Sequence, residues 1–200
     1  MPRLSTTVDV QSSRPPRSTA SATRAKVVVA ARVAFSRTGF DQLGVREIAA
    51  SAGVDPAVVI RLFGSKEALF AAVADGAFAL EAPFEGHLAG LGLRIARHLT
   101  GAKGAPGPDD FDELAFLTRS AGSPTAAPLL SKALHAGFVG PLASLLGGRD
   151  AALRAALMTA CVLGYSTLRF SLGSPALDGA ARARVTAHLG AMLQTLVQGA

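Results

Sequence analysis

Cysteine occurs once in the 200 residues, as Cys161, and tryptophan does not occur. One thiol allows no internal disulfide and supplies no zinc cluster, so a reducing, cytoplasmic setting is expected. The four histidines, His87, His98, His135 and His188, show no i, i+4 ligand spacing. No metal is expected, and no cofactor either, because the glycines of "LGLRIARHLTG" and "GAKGAPGP" lack phosphate-loop order. No run approaches the roughly 18 consecutive apolar residues that signal a membrane span. The longest uncharged helical stretch, Ala155 to Leu168, contains Thr159, Ser166 and Thr167 and reads as a buried helix. No membrane partner is therefore expected. Strict apolar–polar alternation is also missing, which argues against strands. The leader "MPRLSTTVDVQSSRPPRSTASATR" has no apolar core of a secretory signal and is expected to be a disordered basic tail over residues 1–21.

What remains is a helical, apolar chain. Half the residues are hydrophobic and the net charge is +6. The charge leans N-terminal, with ten Lys/Arg against six Asp/Glu in residues 1–80, which suits an anionic partner there. Periodicity predicts a first helix over about 22–38, with Val27, Ala30, Ala31, Ala34 and Phe35 inward and Gly39 as its stop. A second is predicted over 45–51, with Val45, Ile48, Ala49 and Ala52 on one stripe and Gly53 turning the chain. A third spans about 55–63, with Asp55 as N-cap and Pro56 at the first helical position. A fourth opens at Ser65 and runs towards Leu80. Pro83 marks a joint. Beyond it helices are predicted at about 84–100, 109–121, 124–146, 150–172 and 177–198, with Pro141 kinking or splitting the third of these. The fold class is all-α: an N-terminal unit over 22–80 and a larger helical unit over 81–200.

Taken alone, two short helices about a glycine are more often a plain helical corner than a DNA reader. If residues 44–63 are a helix-turn-helix, Val59, Leu62 and Phe63 face the core and Ala57, Ile60, Arg61 and Gly64 face out. Small Ala57 lets the helix approach the bases. Val58 or Ile60 suits a thymine methyl, and Arg61 suits guanine or phosphate. Lys66, at the next helix start, suits phosphate, and Arg24 and Arg46 are further candidates.

The constellation from Thr23 to Val73, "TRAKVVVAARVAFSRTGFDQLGVREIAASAGVDPAVVIRLFGSKEALFAAV", resembles the DNA-binding domain of TetR-type transcriptional regulators. The resemblance rests on Gly39-Phe40, "VREIA", "AGV", Phe63, Gly64-Ser65-Lys66-Glu67 and Leu69-Phe70, and covers about residues 22–75. It implies a sequence-specific regulator, most simply a ligand-responsive repressor on a near-palindromic double-stranded operator, and no enzyme. The implied DNA-contact set is Arg24, Gly44, Val45, Arg46, Pro56, Ala57, Val58, Ile60, Arg61 and Lys66. Three positions depart from the pattern: Gly44 stands where a Thr or Ser usually caps the second helix, Ile60 where an aromatic residue is usual, and Leu62 where Tyr or His is frequent. The alternative is a regulator-like protein with a weakened reading head that acts through ligand or protein contacts.

The family's C-terminal helices commonly enclose a small-molecule cavity. The resemblance therefore implies a small, largely apolar effector among Phe116, Phe138 and Tyr165, with Arg119 or His135 as a polar anchor. A head this small covers one half-site, so a homodimer is expected. The last two predicted helices carry more apolar faces than one buried side needs, and Leu157, Leu163, Leu189 and Leu193 are expected at a four-helix interface.

Overall fold

The computed structural model of the chain describes residues 17–80, 84, 86–101, 107, 109–177 and 181–199. Among the described residues there is no strand. The described residues form ten α-helices: α1 (Arg17–Thr38), α2 (Val45–Ala52), α3 (Pro56–Phe63), α4 (Lys66–Ala74), α5 (Leu91–Thr100), α6 (Glu113–Ser120), α7 (Ala126–Leu134), α8 (Gly140–Leu146), α9 (Ala151–Ser166) and α10 (Arg182–Gln198). The expected tail lies outside the described residues up to position 16. From Arg17 the chain is already helical, so α1 begins inside the segment expected to be disordered.

The first four helices form where local chemistry says. Val27, Ala31 and Phe35, spaced by four, point inward from α1 and are fully buried. Gly39 ends α1 at φ 81°, and a Cβ there would lie 2.8 Å from the Arg119 carbonyl oxygen. Gly53, at φ 60°, returns its N–H to the end of α2. The Asp55 carboxylate accepts the Ala57 N–H at 2.7 Å, and the Ser65 hydroxyl accepts that of Ala68 at 3.1 Å. Both caps satisfy amides that a helix start leaves orphaned.

Two expectations about length fail. α4 stops at Ala74, well short of Leu80. There the chain turns, and the Arg32 guanidinium donates to the Gly76 carbonyl at 3.1 Å while lying over the Phe111 ring. α5 starts at Leu91, not near 84, because Gly90 at φ 80° breaks the helical path. Pro141 acts more gently than a break. A single π turn, His135–Val139, joins α7 to α8, with the Gly140 N–H reaching back five residues to the His135 carbonyl. The wider turn accommodates the amide that Pro141 cannot supply.

Packing does not divide the chain at residue 80. One hydrophobic cluster holds α1 to α4 together with Phe116 of α6 and Ala126 and Leu130 of α7. A second holds Phe84, α5, α8, α9 and α10. α6 and the start of α7 thus belong to the core of the N-terminal unit although they follow it by some forty residues. In the second cluster α5 and α10 run antiparallel at close range. The Gly92 N–H donates to Gln194 Oε1 at 2.9 Å, and Thr100 and Thr186 hydroxyls meet at 2.7 Å. A Cβ on Gly92 would sit 2.5 Å from the Gly190 carbonyl oxygen. Gly92→Ala, which in an exposed helix would stabilise, should here lower stability by about 1–3 kcal/mol, because backbone cannot give way as a side chain can. Urea denaturation midpoints check this. A midpoint equal to or above that of the unaltered protein would refute the close approach.

Candidate nucleic-acid interface

α2 and α3 make a tight helix-turn-helix supported from behind by α1. Ile48, Ala49 and Ala52 of α2 and Val59 of α3 are buried against it, and Leu62 and Phe63 are partly buried. The opposite side of α3 is bare: Ala57, Ile60, Arg61 and Gly64 are exposed, Ile60 to 45%. Pro56 and Val58 are half-buried at the start of the same helix.

The cations stand around this face. Arg46 is exposed in the first turn of α2. Arg24, on α1, lies over the Phe63 ring at the end of α3, 4.9 Å from its centroid. Lys66 Nζ sits 4.2 Å above the Phe40 ring, in the first turn of α4. Each ring restrains a long side chain that would otherwise roam, and a restrained cation loses less entropy when it meets phosphate. Beside Lys66, the Glu67 carboxyl is held below its ordinary value by its backbone N–H, by the Ser65 hydroxyl and by the Lys66 charge. That lowered value means its capping contribution is full above the ordinary carboxylate range and fades as pH falls through the lowered one.

Gly44 and Val45, half-buried, open α2. Gly44 has no side chain to offer, so only half of a capping box is made: the Glu47 carboxylate accepts the Gly44 N–H at 2.6 Å. The hydroxyl that would cap the helix from this position is absent.

The reading head is tied to the rest of the chain through the loop after α1. The Phe40 N–H donates to the buried Ser120 hydroxyl at 3.2 Å, and the Ser123 hydroxyl donates to Asp41 Oδ1 at 2.7 Å. Phe40 therefore touches α6 through its backbone and Lys66 through its ring. These partners were missed in the sequence, since neither serine belongs to a motif and both lie some eighty residues away. Lys26 was missed too. It is exposed, and its Nζ is 3.4 Å from where a Gly53 Cβ would lie, beside the helix-turn-helix turn.

With this geometry the chain can be set beside known proteins. Residues 27–73 match the family described as bacterial regulatory proteins, tetR family, and residues 89–197 match the tetracyclin repressor-like C-terminal domain. The chain belongs to the TetR family. It is a DNA-binding regulator of transcription by that membership. A TetR-family regulator from Streptomyces coelicolor is 30% identical over 94% of this chain and 99% of its own, with a TM-score of 0.56. A transcriptional regulator from Rhodococcus sp. Rha1 is 26% identical over 88% and 96%, with a TM-score of 0.60. Another Rhodococcus regulator, at 19% identity over 88% and 99%, shares the fold with a TM-score of 0.66. No curated protein matches significantly.

The five residues expected around an effector are not brought together. Phe116 is fully buried in the first cluster, with the rings of Phe70, Phe111, Phe78 and Phe35 at 4.8, 5.5, 6.2 and 6.4 Å. It is packing for the TetR head, because α6 turns it towards α1 and α4. Arg119 and His135 are exposed. Phe138 meets Phe84 edge-on at 5.0 Å in the second cluster. Tyr165 lines a cavity of about 410 Å³ bounded by Ala176, Leu177, Ala181, Arg184, Val185, His188 and Leu189, which includes none of the other four.

The expected interface residues also separate. Leu189 and Leu193 are turned into their own protomer, where α10 packs on α5, and are 6% and 0% exposed. Leu163 is half-buried. Leu157 faces outward at 45%, in line with Leu153 at 59%.

Proposed function

We propose that the protein is a homodimeric, effector-responsive repressor that acts on chromosomal DNA in the cytoplasm. Each subunit lays α3 in one major-groove half-site of a near-palindromic operator. The observation that carries this reading is the bare face of α3, Ala57, Ile60 and Arg61, with Arg24, Arg46 and Lys66 around it. Ile60 suits a thymine methyl and Arg61 a guanine edge. Gly44 and Val45 bring the start of α2 to the backbone, with Arg46 beside it.

Arg61→Ala should cost about 1–3 kcal/mol on the best operator and relax preference at one position in each half-site. Lys66→Ala should weaken all sequences alike and lower the slope of log K against log salt by about one per subunit. Fluorescence-anisotropy titrations of promoter DNA over a salt series measure both. Unchanged binding in both variants would sink the assignment.

A second reading, a regulator with a weakened head that works through ligand or protein contacts, draws on Gly44 and its half-made capping box. Retained effector binding with no operator binding at low salt would favour it.

Dimerisation draws on surplus apolar surface. Helical stretches Ala126–Leu146 and Ala151–Ser171 are long and apolar enough to cross a membrane by length and composition, yet only 22% and 28% of their most apolar windows are buried in the protomer. On the second, Leu153, Leu157 and Leu168 are exposed, with Met192 exposed on α10. The same stretch contains Arg154, whose guanidinium donates to the carbonyls of Gly147, Arg149, Leu196 and Val197, the ends of α8 and α10 among them. Four satisfied bonds of this kind suit a packed helical body, and the exposed leucines then suit a second copy.

Effector control follows from linkage. A ligand that prefers an arrangement with wrongly spaced heads weakens operator binding by the same coupling energy, about 1–3 kcal/mol for roughly 5–150-fold release. The contacts of Phe40 with Ser120 and of Asp41 with Ser123 offer the end of α6 and the loop after it as a route into the head.

A further inference from the structure

We propose that the cavity between the end of α9, the Pro175–Leu177 turn and the first turns of α10 is a binding site for a small amphipathic anion, an apolar body carrying one carboxylate. This names an effector class for the regulator reading and rests on that reading only for its effect on DNA.

The lining divides into two chemistries. Leu177, Val185 and Leu189, with Ala176 and Ala181, give an apolar floor and wall. Arg184, His188 and Tyr165 give the polar part. Arg184 and His188 are four apart on α10 and so share one face of the helix. Tyr165 approaches from α9 and is 8% exposed. At about 410 Å³ the space falls at the lower end of small-molecule sites.

The polar groups point to one kind of head group. A guanidinium has only donors, and its planar fork matches the two oxygens of a carboxylate. Among the described residues Arg184 is in no ion pair. The Tyr165 phenol is pushed up from its ordinary value by burial, against the opposing pull of Arg169 and Arg182, so it remains a neutral O–H donor. With Arg169, Arg182 and Arg184 near one end of the site and no carboxylate among the described residues that line it, a cation is disfavoured and a neutral ligand leaves the guanidinium poorly matched. The apolar floor disfavours a bare inorganic anion, which would gain nothing from Leu177, Val185 and Leu189.

The test uses the full chain and two pairs of probes, octanoate with octanamide and 3-phenylpropionate with 3-phenylpropionamide. Thermal shift and calorimetric titration read binding, sedimentation reads oligomeric state, and anisotropy reads operator release. The carboxylates should bind at least tenfold more tightly than their amides, and acetate and inorganic phosphate should not raise the melting temperature. Arg184→Gln, at an exposed position, should keep the unliganded melting temperature and lose at least tenfold in octanoate affinity. Tyr165→Phe should lose less. Equal binding of amide and carboxylate, or unchanged octanoate binding by Arg184→Gln, overturns the site. So does an Arg184→Gln variant that alters the dimer while neither form binds a carboxylate, since the cavity would then be filled by the second copy. Carboxylate binding that Arg184→Gln abolishes, with no operator release, supports the site and sinks the effector reading instead.

Discussion

Phe116→Ala should lower the stability of the whole protein by about 3–5 kcal/mol, the usual range for emptying a fully buried phenylalanine site. Phe116 has no exposed surface, and its ring lies among Phe35, Phe70, Phe78 and Phe111. Phe35 and Phe70 belong to the DNA-reading head and Phe116 to α6, so the deletion opens a void at the seam between head and body. Removal of four tilted ring contacts adds to the lost burial. A domain's stability is about 5–15 kcal/mol, so the variant should be folded but marginal at room temperature. Operator affinity should fall with it, because α1 and α4 lose the ring that braces them. Urea denaturation gives the first number and anisotropy the second. If stability were unchanged and effector response alone were lost, Phe116 would line a ligand site after all, and the packing described above would be wrong.

Leu157→Arg and Leu193→Arg should behave in opposite ways, although both leucines were expected at the dimer interface. Leu157 is half in solvent, so an arginine there leaves the protomer folded and places a charge where the second copy should dock. Sedimentation should give a folded monomer. Its operator affinity should drop about 10²–10⁴-fold, the gain that linking two half-site contacts ordinarily brings. Leu193 is fully buried between α10 and α5. An arginine there would bury an unpaired charge, so the chain should unfold or aggregate. Circular dichroism separates the two variants. A dimeric Leu157→Arg with native operator affinity would move the interface elsewhere on the body.

The head was legible because its signals are short-range. Asp55, Pro56, Ser65 and the turn at Gly53 act within four residues of themselves, and they start and stop helices wherever the rest of the chain lies. The same holds for the stripes of α1 and α2, since 3.6-residue periodicity states which face is apolar before any partner is present. The outward set on α3, Ala57, Ile60, Arg61 and Gly64, came from that periodicity alone and is the set the structure leaves exposed. The family assignment drew on the same local pattern, and the match over residues 27–73 bears it out.

In the body, periodicity says that a face is apolar but not which neighbour covers it. Phe116 and Phe138 look alike in sequence, yet one packs into the head and the other against Phe84. Leu157 and Leu193 look alike, yet α5 covers only the second, because the glycines at 92 and 190 let its backbone come close to α10. Gln194 caps the first turn of α5 from about a hundred residues away, and Arg154 gathers the carbonyl ends of α8 and α10. The local sequence of this protein thus determined its helices, caps and reading face, because those depend on neighbours along the chain. Tertiary structure decided which apolar faces met, where α4 stopped and which residues lined the cavity, because burial is a property of the partner as much as of the side chain.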